Sequence, residues 1–402
     1  MRIRIRHIAN FFAAAVVCAI VQGCAGFHVN GPLVHDAGDW PMAGKTPSGT
    51  YADQSQHITL PLELKWDYDL SAGAGQNACI IVDNVLMCGT LKGEFFAIDA
   101  ANGKGIGTKK ISQPISGSPT VLGSELYLCA EAGKETIFDY NLSAGEFVWK
   151  KNIGGISASP IIARISKETA DANSGISASS GGGVPRLFVG TLDGAFYALR
   201  PSDGETLWKA KCAAPILGAA CADDSLVFCA DIKGTVYAFT AASGRLCWKR
   251  LLGGAVYAGV STHAGTVYAG SRDHLLYALD ARTGEIRWKY DTGERIMAAA
   301  SVSDSLVIVP SLNGIVSALD PRDGQMLWTF TARGAVNTPC TLVQGIVFVA
   351  SLDTYIYALS SANGSVLWKH SIDARIKTAP VIWNGSLLII GDDKTLYSFG
   401  KR

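Results

Sequence analysis

The sequence predicts an all-β fold, an eight-bladed β-propeller of four-stranded blades, and three observations lead there. Trp208, Trp248, Trp288, Trp328 and Trp368 recur every 40 residues, each four residues after a glycine: Gly204, Gly244, Gly284, Gly324 and Gly364. A fixed period of this length marks a solenoid, propeller or array of one supersecondary unit. Within the unit, apolar residues alternate with strand period, as at Val267 and Ala269 and again at Leu276 and Ala278, between polar or glycine-bearing turns. Finally, one segment of every unit has a small central residue: Ser118, Ser159, Ala219, Gly259, Ala299, Thr338 or Ala379. Bulky side chains would clash where strands converge on a common axis, so this segment is expected to be the innermost strand of a blade.

Each element of the unit follows in order. The innermost strand is expected at Ile156 to Ile162, Val336 to Pro339 and Ile376 to Pro380 in three of the copies. The central hairpin turns on Asp193-Gly194, Lys233-Gly234 or Asn313-Gly314, pairs that tolerate the positive φ a tight turn needs. The outermost strand carries the tryptophan, whose large ring is expected to pack between neighbouring blades rather than to hold a ligand. Gly107 stands at the tryptophan position of the first unit and Trp149 at that of the second. One period before Gly107 lies Trp66, while the chain ends on three strands without a tryptophan. Pairing the Trp66 strand with those last three closes an eighth blade and leaves no open edge between the ends of the chain.

The first 23 residues are of a different kind. Arg2, Arg4 and Arg6 precede an apolar run from Ile8 to Val21, which ends in Val21-Gln22-Gly23-Cys24. A basic start, a short hydrophobic run and a small-residue site make a secretory signal peptide. The last four residues resemble a bacterial lipobox, with Gln22 departing from the usual small residue, and this resemblance implies cleavage before Cys24 and its lipidation. Residues 24–60, rich in Gly, Pro, Ser and Asp, are expected to form a lipidated tether, and residues 61–402 the propeller. Cleavage removes three arginines and no acid, so the formal charge falls from +1 to −2. A near-neutral surface excludes the electrostatic footprint of a nucleic-acid binder.

Eight further cysteines remain, Cys79, Cys88, Cys129, Cys212, Cys221, Cys229, Cys247 and Cys340. Cys79 with Cys88, and Cys221 with Cys229, flank turns and could form cross-strand disulfides in an oxidising compartment, but buried thiols in place of small apolar residues are favoured. No CxxC, HExxH or paired-histidine spacing is present, so neither a metal nor any other cofactor is expected. The interval from Trp149 to Trp208 is longer than the rest, and its surplus lies in the Ser-Gly-rich stretch Arg164 to Arg186, expected to be a surface excursion. Arg295, Arg333 and Arg375, with Lys377 beside them, fall at nearly the same point of three successive units. At the mouth of a central channel they would form an anion-binding rim, unless Glu294 and Asp373 neutralise them.

The clearest copy of the unit, Tyr277-Ala278-Leu279-Asp280 followed by Thr283-Gly284 and Trp288, resembles the pyrroloquinoline-quinone-type propeller repeat over about residues 60 to 400. Asp39-Trp40-Pro41-Met42 resembles the leader of such proteins. With the lipobox and the count of eight, the chain resembles the BamB family, lipoproteins of the outer-membrane β-barrel assembly machinery. That resemblance implies a monomeric, non-enzymatic scaffold, lipid-anchored in the outer membrane and facing the periplasm, whose protein partner is the periplasmic domains of BamA. Gly26, two places after the cysteine, agrees with outer-membrane sorting in the same resemblance. A ligand- or protein-binding envelope propeller unrelated to barrel assembly is the alternative. A quinone-dependent dehydrogenase is a third, for which the chain lacks the adjacent cysteine pair that such enzymes carry.

Overall fold

The computed structural model describes residues 27–29, 33–34, 36–75, 79–111, 113–166 and 183–401. Its strands form eight four-stranded antiparallel sheets. Blade 1 begins with Cys79–Val82 and ends with the outermost strand Gly105–Lys110; blades 2 to 7 follow in chain order with the same meander. Blade 8 is composite: Val381–Trp383, Ser386–Ile390 and Thr395–Gly400 are completed by Glu63–Asp69, so the two ends of the ring close on each other as expected.

The core is not central. It is divided among the seams, where the apolar faces of neighbouring blades meet, as between blades 4 and 5 around Phe228, Trp248, Val267 and Leu279. The tryptophans organise these seams. The indole N–H groups of Trp66, Trp149, Trp208, Trp248, Trp288 and Trp328 donate to a carbonyl of the next blade, Trp208 to Ala241 at 3.0 Å, Trp248 to Ala281 at 2.9 Å and Trp328 to Ser361 at 2.8 Å. The same ring lies flat against the next blade's last turn: a Cβ on Gly284 would stand 2.5 Å from the Trp248 ring, and Gly284 has φ +70°. Glycine is therefore required twice, by the left-handed backbone and by the ring on top of it. Closer to the axis, hydroxyls fasten blade to blade, with Thr120 donating to Pro160 O and Ser261 to Ala300 O, both at 2.6 Å.

The innermost strands lie later in the chain than their sequence pattern suggests. They span Ile161–Ile165, Thr341–Val343 and Val381–Trp383, and the small residues Ser159, Thr338 and Ala379 precede them. Near the axis neighbouring blades approach closely: a Cβ on Gly218 would come within 2.1 Å of Ala258 O. Pro160, Pro339 and Pro380, which have no N–H to donate, mark the point where pairing begins.

The stretch expected to act as a tether packs on the ring instead for much of its length. Trp40, only 2% exposed, pairs with Ile81 of blade 1. Beyond it, carbonyls of Pro41, Pro47, Ser48, Thr50 and Tyr51 accept backbone hydrogen bonds from Val121, Ala222, Thr262, Val302 and Leu342, at the innermost strands of blades 2, 4, 5, 6 and 7. This segment spends its backbone hydrogen bonds on the ring and covers one mouth of the channel, where composition alone suggested a solvated linker.

Candidate functional site

Within the ring, the inner segments of the blades line a cup of about 330 Å³. Its lining is mostly glycine, alanine and serine, with Glu131, Tyr257 and Met297 as the larger side chains. Glu131 Oε1 accepts from Ser116 Oγ and from Ser157 Oγ, the latter at 3.2 Å. At the open mouth, Arg272 lies over the Tyr257 ring at 5.2 Å. Among the described residues no three His, Cys, Asp or Glu side chains come together as a metal donor set.

The basic rim is less concerted than the sequence spacing suggests. The carbonyls of Arg295 and Arg375 accept from Leu312 and Asp392 at the neighbouring turn, but the equivalent acceptor between them is Ala335, not Arg333. Arg333 stands two residues earlier, where its backbone N–H donates to Asp353. Arg295 pairs with Glu294 at 2.8 Å, whereas Arg375 and Lys377 share Asp392 at 2.7 and 3.0 Å. Hydrogen bonding from Lys377, with further contributions from Arg375, holds the Asp392 carboxyl below its ordinary range. The partner of Arg375 and Lys377 is therefore Asp392 on the facing turn, a contact that counting along one strand does not reveal. Cys24 lies outside the described residues, as does most of the Arg164 to Arg186 stretch, which joins the first two strands of blade 3.

All eight described cysteines are free thiols. Cys79 stands opposite Cys88 in the first hairpin of blade 1. Cys221 instead opposes Phe228, and the thiol beside Cys229 is Cys212, which reaches it from the preceding blade connection. The second pairing is thus not the one the spacing suggests, because the tight turn at Asp224-Ser225 sets Cys221 opposite Phe228, one residue short of Cys229.

The seam between blades 1 and 2 departs from the others. Gly107 pairs with Ala97 just as Trp208 pairs with Ala198, so the tryptophan position is present but has no side chain. Phe27 fills it. A Cβ on Gly107 would stand 2.1 Å from Phe27 Cβ, and the Phe27 ring stacks on Phe95 with centroids 5.6 Å apart. Phe27 O accepts from the Tyr140 hydroxyl at 2.6 Å and Val29 N–H donates to Leu142 O at 2.7 Å. Residues 27 and 28 also cover Gly145, the turn that a tryptophan would otherwise cover. The signal in the sequence was the missing tryptophan; that a residue 80 positions upstream replaces it was not readable there.

Comparison with known proteins agrees with this architecture. A family model described as outer membrane protein assembly factor BamB matches residues 62–184, 134–264, 232–338 and 312–402, which together span the whole ring. The chain belongs to the BamB family. Among solved structures, BamB from Moraxella catarrhalis is 17% identical, with a TM-score of 0.66, covering 85% of this chain and 98% of that one. The computationally designed Ika8 protein is 16% identical with a TM-score of 0.68, over 83% and 98% of the two chains. Quinohemoprotein alcohol dehydrogenase from Comamonas testosteroni is 13% identical with a TM-score of 0.71, over 91% and 81%. At these identities the likenesses show the shared fold alone. No curated protein sequence matches significantly. The lining of the cup in this BamB family member offers one carboxylate, Glu131, bonded to two serines.

Proposed function

We propose that this chain is a lipid-anchored, periplasm-facing scaffold of outer-membrane β-barrel protein assembly, without catalysis of its own. The observation that carries the reading is the family match, which runs through every blade from residue 62 to 402. A surface suited to a protein partner supports it. On the outermost strands of blades 6 and 7, Met326, Leu327, Val366 and Leu367 are each 47–53% exposed and stand as two adjacent apolar pairs. Large apolar side chains exposed in this way suit an interaction site, whereas the cup is lined mostly with small residues. The partner expected from the family is the periplasmic part of BamA, and the anchor is an acylated Cys24.

Crosslinking in the native envelope tests the reading. BamA should be recovered with the wild-type chain, and recovery should fall at least several-fold for the Leu327→Asp, Leu367→Asp variant, provided its melting temperature is unchanged. Recovery of a different envelope protein or a glycan, with no BamA, would transfer the scaffold to another assembly. The mass of the mature N-terminal peptide checks the acylation separately.

A further inference from the structure

The outermost strands divide the rim into two electrostatic halves. Those of blades 1 to 4, Gly105–Lys110, Glu146–Lys151, Thr206–Lys211 and Leu246–Leu251, carry eight lysines and arginines against one carboxylate, Glu146. Those of blades 5 to 8, Ile286–Asp291, Met326–Thr331, Val366–Ser371 and Glu63–Asp69, carry four against four. The chain as a whole is near neutral, so the first half is basic by arrangement and not by composition.

The N-terminus is held at that half. Val29 is bonded at the Leu142 turn and Phe27 is wedged beside Gly107, so the chain traced backwards climbs the seam between blades 1 and 2. Lys109 stands over the Tyr140 ring that packs on Phe27, at 5.7 Å. Lys109 and Lys150 both lie over the neighbouring Phe147, at 5.4 and 4.2 Å. Between these blades opens a cleft of about 230 Å³ lined by Lys110, Lys134 and Lys150, with Glu135 as its one acid. Only Ala25 and Gly26 separate Phe27 from Cys24, a reach of at most about 10 Å.

From these two observations we infer that the basic rim of blades 1 to 4 is a docking face for an anionic phospholipid surface, so that the ring stands edge-on with its partner-binding rim of blades 6 and 7 turned away. The choice of a lipid occupant rests on the proposed acylation of Cys24. A single acyl attachment leaves a protein free to tumble above the membrane; a wedged attachment point next to exposed lysines does not. Lysines within a Debye length of an anionic surface add attraction that salt removes.

Vesicle flotation tests this with residues 24–402 carrying Cys24→Ala, since the described fold begins at Phe27. Binding then cannot come from an acyl chain, and a failed acylation, read by peptide mass, is a separate result. Vesicles containing phosphatidylglycerol should bind the protein, and vesicles of phosphatidylcholine alone should not. The Lys109→Glu, Lys110→Glu, Lys150→Glu variant should bind the anionic vesicles at least tenfold more weakly, and the milder Lys→Gln triple should fall between. The same reversal at Lys65, Lys289 and Lys369 should leave binding within about twofold, and a high-salt wash should release the wild type. Absence of binding to anionic vesicles, or equal losses from the two triples with both melting normally, would overturn the inference.

Discussion

The seam between blades 4 and 5 and the seam between blades 1 and 2 solve one packing problem in two ways. In the first, Trp248 belongs to the blade it seals and rests on Gly284 of the next. In the second, Gly107 leaves the place empty, and Phe27 enters from the far end of the chain. A tryptophan built into a strand is ordered by its own sheet. Phe27 must order the segment that brings it, so part of its packing energy offsets conformational entropy. What this teaches is that a gap in a repeat can be a socket.

The largest expected effect breaks the regular seam from beneath. Gly284→Val places a β-branched side chain at φ +70° and 2.5 Å from an indole, so the variant should lose about 4 kcal/mol or fail to fold, measured by urea unfolding. Next comes the direct comparison of the two aromatics. Trp248→Ala should cost about 3–5 kcal/mol and Phe27→Ala about half of that, because the latter also releases an ordered segment. Gly107→Trp should destabilise the wild-type chain, where the socket is occupied, yet restore part of the stability lost in Phe27→Ala. Independent, additive effects of the two changes would show that Phe27 does not stand in for the tryptophan.

A subtler contrast lies at the seam between blades 2 and 3. Asp139 faces Trp149 at the position where Ala198 faces Trp208, and it is 1% exposed. Neither of its carboxylate oxygens has a hydrogen-bond partner among the described residues. Burial, with Glu125 beside it, pushes the Asp139 carboxyl up to about 8. The folded state therefore holds a proton that the unfolded chain releases near pH 4. This group's contribution to stability is complete below about pH 4 and is lost as pH rises through about 8. Asp139→Asn should flatten that slope in thermal melts between pH 4 and 9 and should raise stability at the alkaline end by about 1–3 kcal/mol. An unchanged slope would place the pH dependence elsewhere.

The smallest expected effect concerns a turn. Gly314 and Thr354 occupy the same place in consecutive blades with φ of 84° and 77°, and threonine is strained there. Thr354→Gly should stabilise by up to about 1 kcal/mol, less whatever is lost with the 2.9 Å contact between the Thr354 and Ser371 hydroxyls.

Much of the ring was legible because its determinants are local and repeated. The glycine and tryptophan of each unit act through a turn and the adjoining strand, so their 40-residue interval displays both the blade and the count. The closure was legible for the same reason, since Trp66 falls one period before Gly107. The basic rim was legible only in part. Arg295 and Arg375 are equivalent by their hydrogen bonds, but a two-residue offset excludes Arg333; the counter-charge of Arg295 is the adjacent Glu294, whereas that of Arg375 is Asp392 on a turn that spacing does not align.

By itself, the sequence determined an all-β ring of eight blades, its self-closing seam and its kinship with the BamB family, because periodic side chains specify periodic structure. The tertiary structure alone decided that residues 40–51 cap the channel, that Phe27 occupies the socket at Gly107 and that the lysines of four blades share one half of the rim. These depend on which distant segments meet when the ring closes, and a contact between residues far apart in the chain leaves no period to read.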